Sequence, residues 1–506
     1  MHPVVRELLR SLSFGLDRPE GRAEAGGGTV GRLARVYEIA RNALEYRADH
    51  LVRRAAIERI LRRLLVLGYG MEELADTLID ELKWAMYVTE VEEKKASKKQ
   101  VETIMGRYME AFSGNKVDRD WMIGVASAEI EELLNPNTDY HQFSNFAFHA
   151  LKKRVHVTGV DNLDLVLFAA VDKVYSLSDE QQMSYHMFKL IRDQAQKPGS
   201  DEELLVETWR HYVAAVKSPA YNMVAAYVRK QMAPLVLIRD LYFANPPEFA
   251  ATLSDGNRFA AEAQMVLEGQ LGLMSGRIGT ATVRSLIYVF LTKMLVVFLV
   301  EVPFEKALTG QVEYLTLGIN LAFPVVFMWV LGATIRLPNQ QTQERLLGRA
   351  WEVVADFDRE PEAWEVLVRS AEKSMVKFIL YYLFYGLLFI LTFAVIVAAL
   401  TRVGYNLANL GIFMFFLCVV SFFAYRIRQT ASVYSYNPKA RGRSNFLEAL
   451  MLPIVVVGGW LSSGVARLNF LVFIFDFILE APYKMILKFL DNWLAFLSKK
   501  QEEAVG

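Results

Sequence analysis

Along the chain the hydrophobic positions change rhythm near residue 284. Before it, apolar residues recur every three to four positions, with charges between them. Leu33, Tyr37, Ala40, Leu44, Ala48, Leu51 and Ala55 line one face of a long helix, and Met71, Leu74, Leu78, Leu82 and Ala85 resume the period after Gly68 and Gly70. After residue 284 the pattern becomes continuous. Tyr314–Ile335, Phe378–Leu400 and Leu407–Tyr425 are runs of 22, 23 and 19 residues without a charge. A helix needs about 20 apolar residues to cross a bilayer core of about 30 Å. These three predict transmembrane helices. Ser285–Val302 is apolar except for Lys293 and Glu301. The stretch 449–466 is long enough but carries Pro453, Gly458, Gly459 and Gly464, and 468–487 contains Asp476, Glu480, Pro482 and Lys484. The last two are expected to be crossings, a re-entrant pair or an interfacial helix.

Breaks and caps divide the first part into helices of about 15–25 residues. Asn135-Pro136-Asn137 and Asn245-Pro246-Pro247 end helices. Ser178 to Gln181 and Ser200 to Glu203 have the form of capping boxes, and Ser218-Pro219 has the form of a helix start. No alternating strand with a hairpin dipeptide is seen, nor a fixed repeat. The fold class expected is all-α: an N-terminal cytosolic helical bundle or array, followed by a polytopic transmembrane domain of four to six crossings. The expected segments are 1–30, an N-terminal piece with a Gly-rich linker; 31–280, the cytosolic helical domain; 285–498, the membrane domain with an inside helical loop at 336–377; and 499–506, a tail.

Charge sharpens this picture into an orientation. The chain of 506 residues has 56 Lys and Arg against 56 Asp and Glu. Residues 1–284 hold 36 basic and 39 acidic side chains, and 285–506 hold 20 and 17. With the N-terminus inside, the inside loops 336–377 and 426–443 carry seven and five Lys or Arg. The outside loops carry only Lys306, Arg402 and Arg467. That asymmetry follows the positive-inside rule. No cleavable signal peptide is expected in the opening residues. The protein is therefore expected in a plasma or inner membrane, multi-pass, with a cytosolic N-terminus. Arg426, Arg428, Lys439, Arg441 and Arg443, mixed with Tyr434 and Tyr436, are candidate contacts for anionic lipids. Nine Arg between 32 and 63 suggest either docking to anionic lipid or RNA, or a solvated helix face interleaved with Glu and Asp.

Candidate chemistry narrows the function classes further. One Cys, Cys418, sits inside an apolar run and reads as packing. His141, His149 and His156 show no metal-ligand spacing, and HExxH, Walker A and dinucleotide-binding motifs are absent. All seven His lie in the first part, so no Ser–His pair is available among the apolar segments. Neither cofactor, metal, nucleic-acid partner nor enzymatic activity is expected. The intramembrane charges remain. A charge at mid-bilayer costs roughly 2.5–3.5 kcal/mol on insertion scales, which makes Lys293, Asp476 and Glu480 a candidate polar site. Lys293 is expected either to pair with Asp476 at a similar depth or to snorkel to the interface. Asp476, Glu480, Lys484, Lys488 and Asp491 also fit one charged stripe on an interfacial helix.

Two readings follow. The first is a membrane-anchored interaction, scaffold or regulatory protein, with a protein partner for the cytosolic domain, lipid contact and possible homo-oligomers. The second is an ion or small-solute channel or transporter that uses Lys293, Asp476, Glu480 and a broken helix at 449–466.

Overall fold

The computed structural model describes residues 2–12, 51–84, 87–88, 98–113, 117–134, 138–152, 154–157, 160, 162–194, 200–309, 314–356, 366–368, 375–436, 446–466 and 493. The chain forms two compact units.

The N-terminal unit is built from Pro3–Arg229 with a short strand from later in the chain. Its helices are α1 (Pro3–Ser11), α2 (Val52–Leu67), α3 (Met71–Trp84), α4 (Lys98–Ser113), α5 (Arg119–Leu134), α6 (Thr138–Lys152), α7 (Leu163–Val174), α8 (Glu180–Gln194) and α9 (Asp201–Lys217). The expected stops are where they act. α2 ends at Gly68, whose φ of 79° is the left-handed conformation that closes a helix without a Cβ clash. α5 ends at Leu134, just before Asn135-Pro136. The Ser200 side chain accepts from the Glu203 amide at 3.3 Å, as a capping residue should. At α8 the cap is displaced by one residue. Asp179, not Ser178, accepts from the Gln182 amide at 3.0 Å, while the Ser178 hydroxyl is turned toward Asp172, to which it donates.

Apolar faces of α2 to α5 meet Phe188 of α8 and Leu204 and Leu205 of α9 in one core. Trp121 packs edge-on to Trp209 at 5.0 Å and donates its indole N–H to Ser184 at 3.0 Å. Three arginines of α2 turn inward. Arg54 is fully buried and bonds Glu58, Asp179 and Ser127. Arg53 forks onto Glu131, and Arg63 onto Glu81. Arg53, Arg54 and Arg63 are thus spent on acids of α3, α5 and the turn before α8, whereas Arg62 is partly exposed and pairs with Glu58 of its own helix; Arg32, Arg35, Arg41 and Arg47 lie outside the described residues. One exception to the all-helical pattern is small: Val155–Val157 pairs in parallel with Val366–Val368. Residues 366–368 are thus extended, and the inside loop expected to be helical over 336–377 is not helical there.

The second unit lies within Lys230–Trp364 and Arg369–Arg467. Packing therefore divides the chain earlier than hydropathy does. The helix α10 (Tyr221–Ala244) runs up to Asn245-Pro246, and α11 (Phe249–Thr252) is a single turn. Then α12 (Gly256–Val296) runs unbroken through the expected boundary at 280–285. It is capped by Asp255, which accepts from the Asn257 amide at 2.9 Å. A π-helical turn, Val297–Glu301, leads into α13 (Val302–Thr309). There follow α14 (Tyr314–Ala333), α15 (Gln340–Ala355), α16 (Met375–Arg402), α17 (Leu407–Ala431) and α18 (Phe446–Ala466).

Among the described residues, three helical stretches are long and apolar enough to cross a membrane: Gly256–Phe304, Tyr382–Arg402 and Asn409–Gln429. Leu317–Ala333 and Met451–Leu461 are shorter apolar stretches. The segment 446–466 is one continuous helix with Pro453 inside it, so it is not the broken helix expected of a solute path. Its glycines seat it on α17 instead. A Cβ on Gly458 would lie 2.0 Å from the Cys418 carbonyl oxygen, so only glycine permits this approach. Cys418 itself is buried against this contact. Segment 468–487 lies outside the described residues.

Candidate functional site

The π turn decides where Lys293 points. In a regular α-helix two residues eight apart differ by 800° of rotation, about 80° off a common face. A π turn is wider, so each of its residues advances less around the axis. Val297–Glu301 supplies that slack and returns Glu301 to the face of Lys293. The Lys293 ammonium donates to Glu301 Oε1, and Asn320 Nδ2 of α14 donates to Glu301 Oε2 at 3.0 Å. Phe416 of α17 covers the ammonium, with its ring centroid at 4.8 Å. Lys293, Glu301 and Asn320 are all at most 1% exposed. One expectation, snorkelling, is corrected here, and pairing with Asp476 falls on a residue outside those described. Lys293 does not snorkel, because it is enclosed. Among the described residues its partner is Glu301 of the same apolar segment, a residue the sequence displayed but whose facing the regular helical period concealed. Asp476 and Glu480 lie outside the described residues.

The basic residues expected to meet lipid headgroups divide similarly. Arg426 and Arg428 are on the last turns of α17, both exposed, with the Arg426 guanidinium 5.9 Å from the Phe422 ring. Cations at a helix C-terminus are favoured by the helix dipole. Lys439, Arg441 and Arg443 lie outside the described residues. Tyr434 and Tyr436 are buried and do not face a headgroup layer. The Tyr434 hydroxyl donates to Asp240 of α10, which pins the loop after α17.

A second constellation, in the N-terminal unit, was not legible in the histidine spacing. Glu132 is in the last turn of α5, and His141 is in the first turns of α6, across the Asn135-Pro136-Asn137 break. His186 is midway along α8. One ligand atom from each of these three lies within 4.8 Å of the others. The two imidazoles meet edge to face, with centroids 4.8 Å apart. His186 Nδ1 is 2.8 Å from Asp172 of α7, and Ser178 donates to the other Asp172 oxygen at 2.9 Å. Lys189 donates to Glu132 Oε1 at 2.6 Å. His141 pairs with His186, 45 positions later, and not with His149, which is exposed. Close packing of α5 and α8 at Gly124, where a Cβ would lie 2.4 Å from the Gln181 side chain, brings α8 with His186 alongside α5 with Glu132. Sequence spacing alone carries no sign of it.

The electrostatics of the two imidazoles diverge. Burial, reinforced by the nearby His186, lowers His141 to about 4. Burial also disfavours a charge on His186, but the Asp172 carboxylate and its hydrogen bond outweigh this and hold His186 above the ordinary histidine value. Asp172 is buried, which opposes its charge, yet His186 and Ser178 keep its carboxyl below the usual range.

In comparisons with known proteins, no family, curated protein or solved structure matches the chain. The functional reading therefore rests on these residues.

Proposed function

We propose that this is a non-enzymatic, multi-pass membrane protein that acts as a membrane-anchored interaction, scaffold or regulatory protein through its N-terminal helical unit. In this reading the N-terminus is cytosolic, the membrane is a plasma or inner membrane, and exposed Arg426 and Arg428 face the anionic leaflet. The excess of twelve basic residues over three between the two sets of loops supports that orientation. One observation carries the choice over transport. The cation inside the apolar unit, Lys293, is enclosed and neutralised by Glu301, with Asn320 and Phe416 completing its surroundings. A closed ion pair of this kind anchors helices to one another and offers no charge to a passing solute.

A second reading, ion or small-solute translocation, is favoured by one feature. The π turn places polar groups within an apolar helix, and Asn320 Oδ1 beside them is buried with no hydrogen-bond partner among the described residues. Reconstitution discriminates the two. In liposomes carrying the purified protein, fluxes of protons, K+ and Cl− are expected to equal those of empty liposomes, and Lys293→Ala and Asp476→Asn are expected to change nothing. Flux above background that either substitution abolishes would establish the second reading.

A further inference from the structure

We propose that Glu132, His141 and His186 bind one divalent transition-metal ion, zinc by ligand type, with Asp172 orienting His186 from behind. The three ligands come from three helices, α5, α6 and α8, so one ion would staple them together. Three atoms no more than 4.8 Å apart share a point within about 2.8 Å of each, against roughly 2.0–2.2 Å for zinc bonds to imidazole and carboxylate. Each ligand therefore needs to close by less than 1 Å, within the reach of a side-chain adjustment. One pair is nearly in place. His141 Nε2 and Glu132 Oε2 are 3.6 Å apart, and tetrahedral ligands at zinc distances sit about 3.3 Å from one another.

Two further observations point to a ligand and not merely to a polar cluster. The first is the support behind His186. Its Nδ1 is held by Asp172, whose other oxygen is held by Ser178, so that Nε2 would be the ligating atom with ring and tautomer preset. Metal-bound histidines characteristically donate their second nitrogen to a carboxylate in this way. The second is Glu132. Lys189 holds Oε1, whereas Oε2 is buried with no hydrogen-bond partner among the described residues. A buried carboxylate oxygen left unmatched is costly, and a cation at that point would satisfy it. The Lys189 charge counts against a cation, but two carboxylates outweigh it, and a histidine that ligates a metal does so as the neutral imidazole. Two His and one Glu form a borderline donor set that suits zinc and leaves a fourth position open. Iron(II) and cobalt(II) fit the same set, and zinc outranks both in affinity.

The test uses the full chain in detergent or nanodiscs, stripped with a chelator and titrated with Zn2+ against a chromophoric competitor. One Zn2+ per chain is expected. Glu132→Gln, His141→Ala and His186→Ala are each expected to weaken it at least about 100-fold. Asp172→Asn is expected to weaken it about 10- to 100-fold with the stoichiometry kept at one. His149→Ala, at an exposed position outside the cluster, is expected to bind like the parent. Circular dichroism and gel filtration qualify each variant as folded. A measurement on the parent protein needs no variant: Zn2+ should protect His141 and His186, but not His149, from diethylpyrocarbonate, as mapped by mass spectrometry. Absence of stoichiometric uptake by the parent, uptake sensitive to His149→Ala and indifferent to the cluster variants, or no protection of His141 and His186 would each overturn the assignment.

Discussion

At the residue scale, two buried polar clusters show how one physical rule operates in different surroundings. A charge removed from water must be neutralised and its remaining hydrogen-bonding atoms matched. Lys293 meets this with Glu301, Asn320 and the Phe416 ring. Arg54 meets the first half with Glu58 and Asp179 and donates to Ser127, while its Nε and one terminal nitrogen have no hydrogen-bond partner among the described residues. The rule predicts an asymmetry between single and double substitution. Lys293→Met alone leaves Glu301 buried and unpaired, which is expected to destabilise the apolar unit by about 3–5 kcal/mol. Adding Glu301→Leu removes both charges and is expected to recover most of that loss, read as thermal unfolding in detergent. If the double variant is as unstable as the single one, the pair is not a lock of the kind argued here. Asn320 was absent from the residues singled out by hydropathy, because an amide barely dents the mean over an apolar run of 22 residues.

At the scale of elements, glycine and the π turn settle what periodicity leaves open. Gly458 and Gly459 resemble a break in an apolar run, yet α18 passes through them as helix and uses Gly458 to approach the α17 backbone at Cys418. Close approach is a packing solution open only to small residues in an apolar environment, where dispersion contacts replace the hydrophobic drive. Gly458→Leu is therefore expected to separate α17 from α18. A cysteine pair placed across this contact should lose crosslinking, and the thermal midpoint should fall by several degrees. Gly411→Leu on α17, where a Cβ meets nothing within 4 Å, is the matched control and should change neither. Equal effects of the two substitutions would refute the close-approach argument. The π turn at Val297–Glu301 is the counterpart in helix geometry: it changes which face Glu301 occupies while leaving the helix continuous.

At the scale of the whole molecule, the separation of roles follows hydropathy, while the boundary between compact units follows contacts. The helix α12 carries a soluble-type start, capped by Asp255, into an apolar end without a break. Residues 230–284 thereby belong to the unit that holds the apolar helices, although their charge resembles that of the residues before them. Topology is the prediction proper to this scale. In a Cys418→Ala background, Val403→Cys between α16 and α17 and Arg428→Cys near the end of α17 are both at exposed positions. An impermeant thiol reagent applied to right-side-out and inverted vesicles should label them from opposite sides, with Arg428→Cys labelled from the side of synthesis. Labelling of both from one side would refute a crossing by α17.

The sequence by itself determined what depends on local order. Runs of apolar residues set the apolar helices, Gly68, Asn135-Pro136 and Asn245-Pro246 set helix ends, and Ser200 set a cap, because each acts within a few residues of itself. The candidate polar site was half legible, since Lys293 stands out in any apolar run. Tertiary structure alone decided who meets whom. Glu301 reaches Lys293 through a π turn, and Asn320 arrives from another helix. His186 joins His141 and Glu132 only because α5, α6 and α8 pack together, and three arginines of α2 face inward because acids on α3, α5 and the turn before α8 await them. Pairings of this kind depend on the closure of long chain segments, which a local period does not encode.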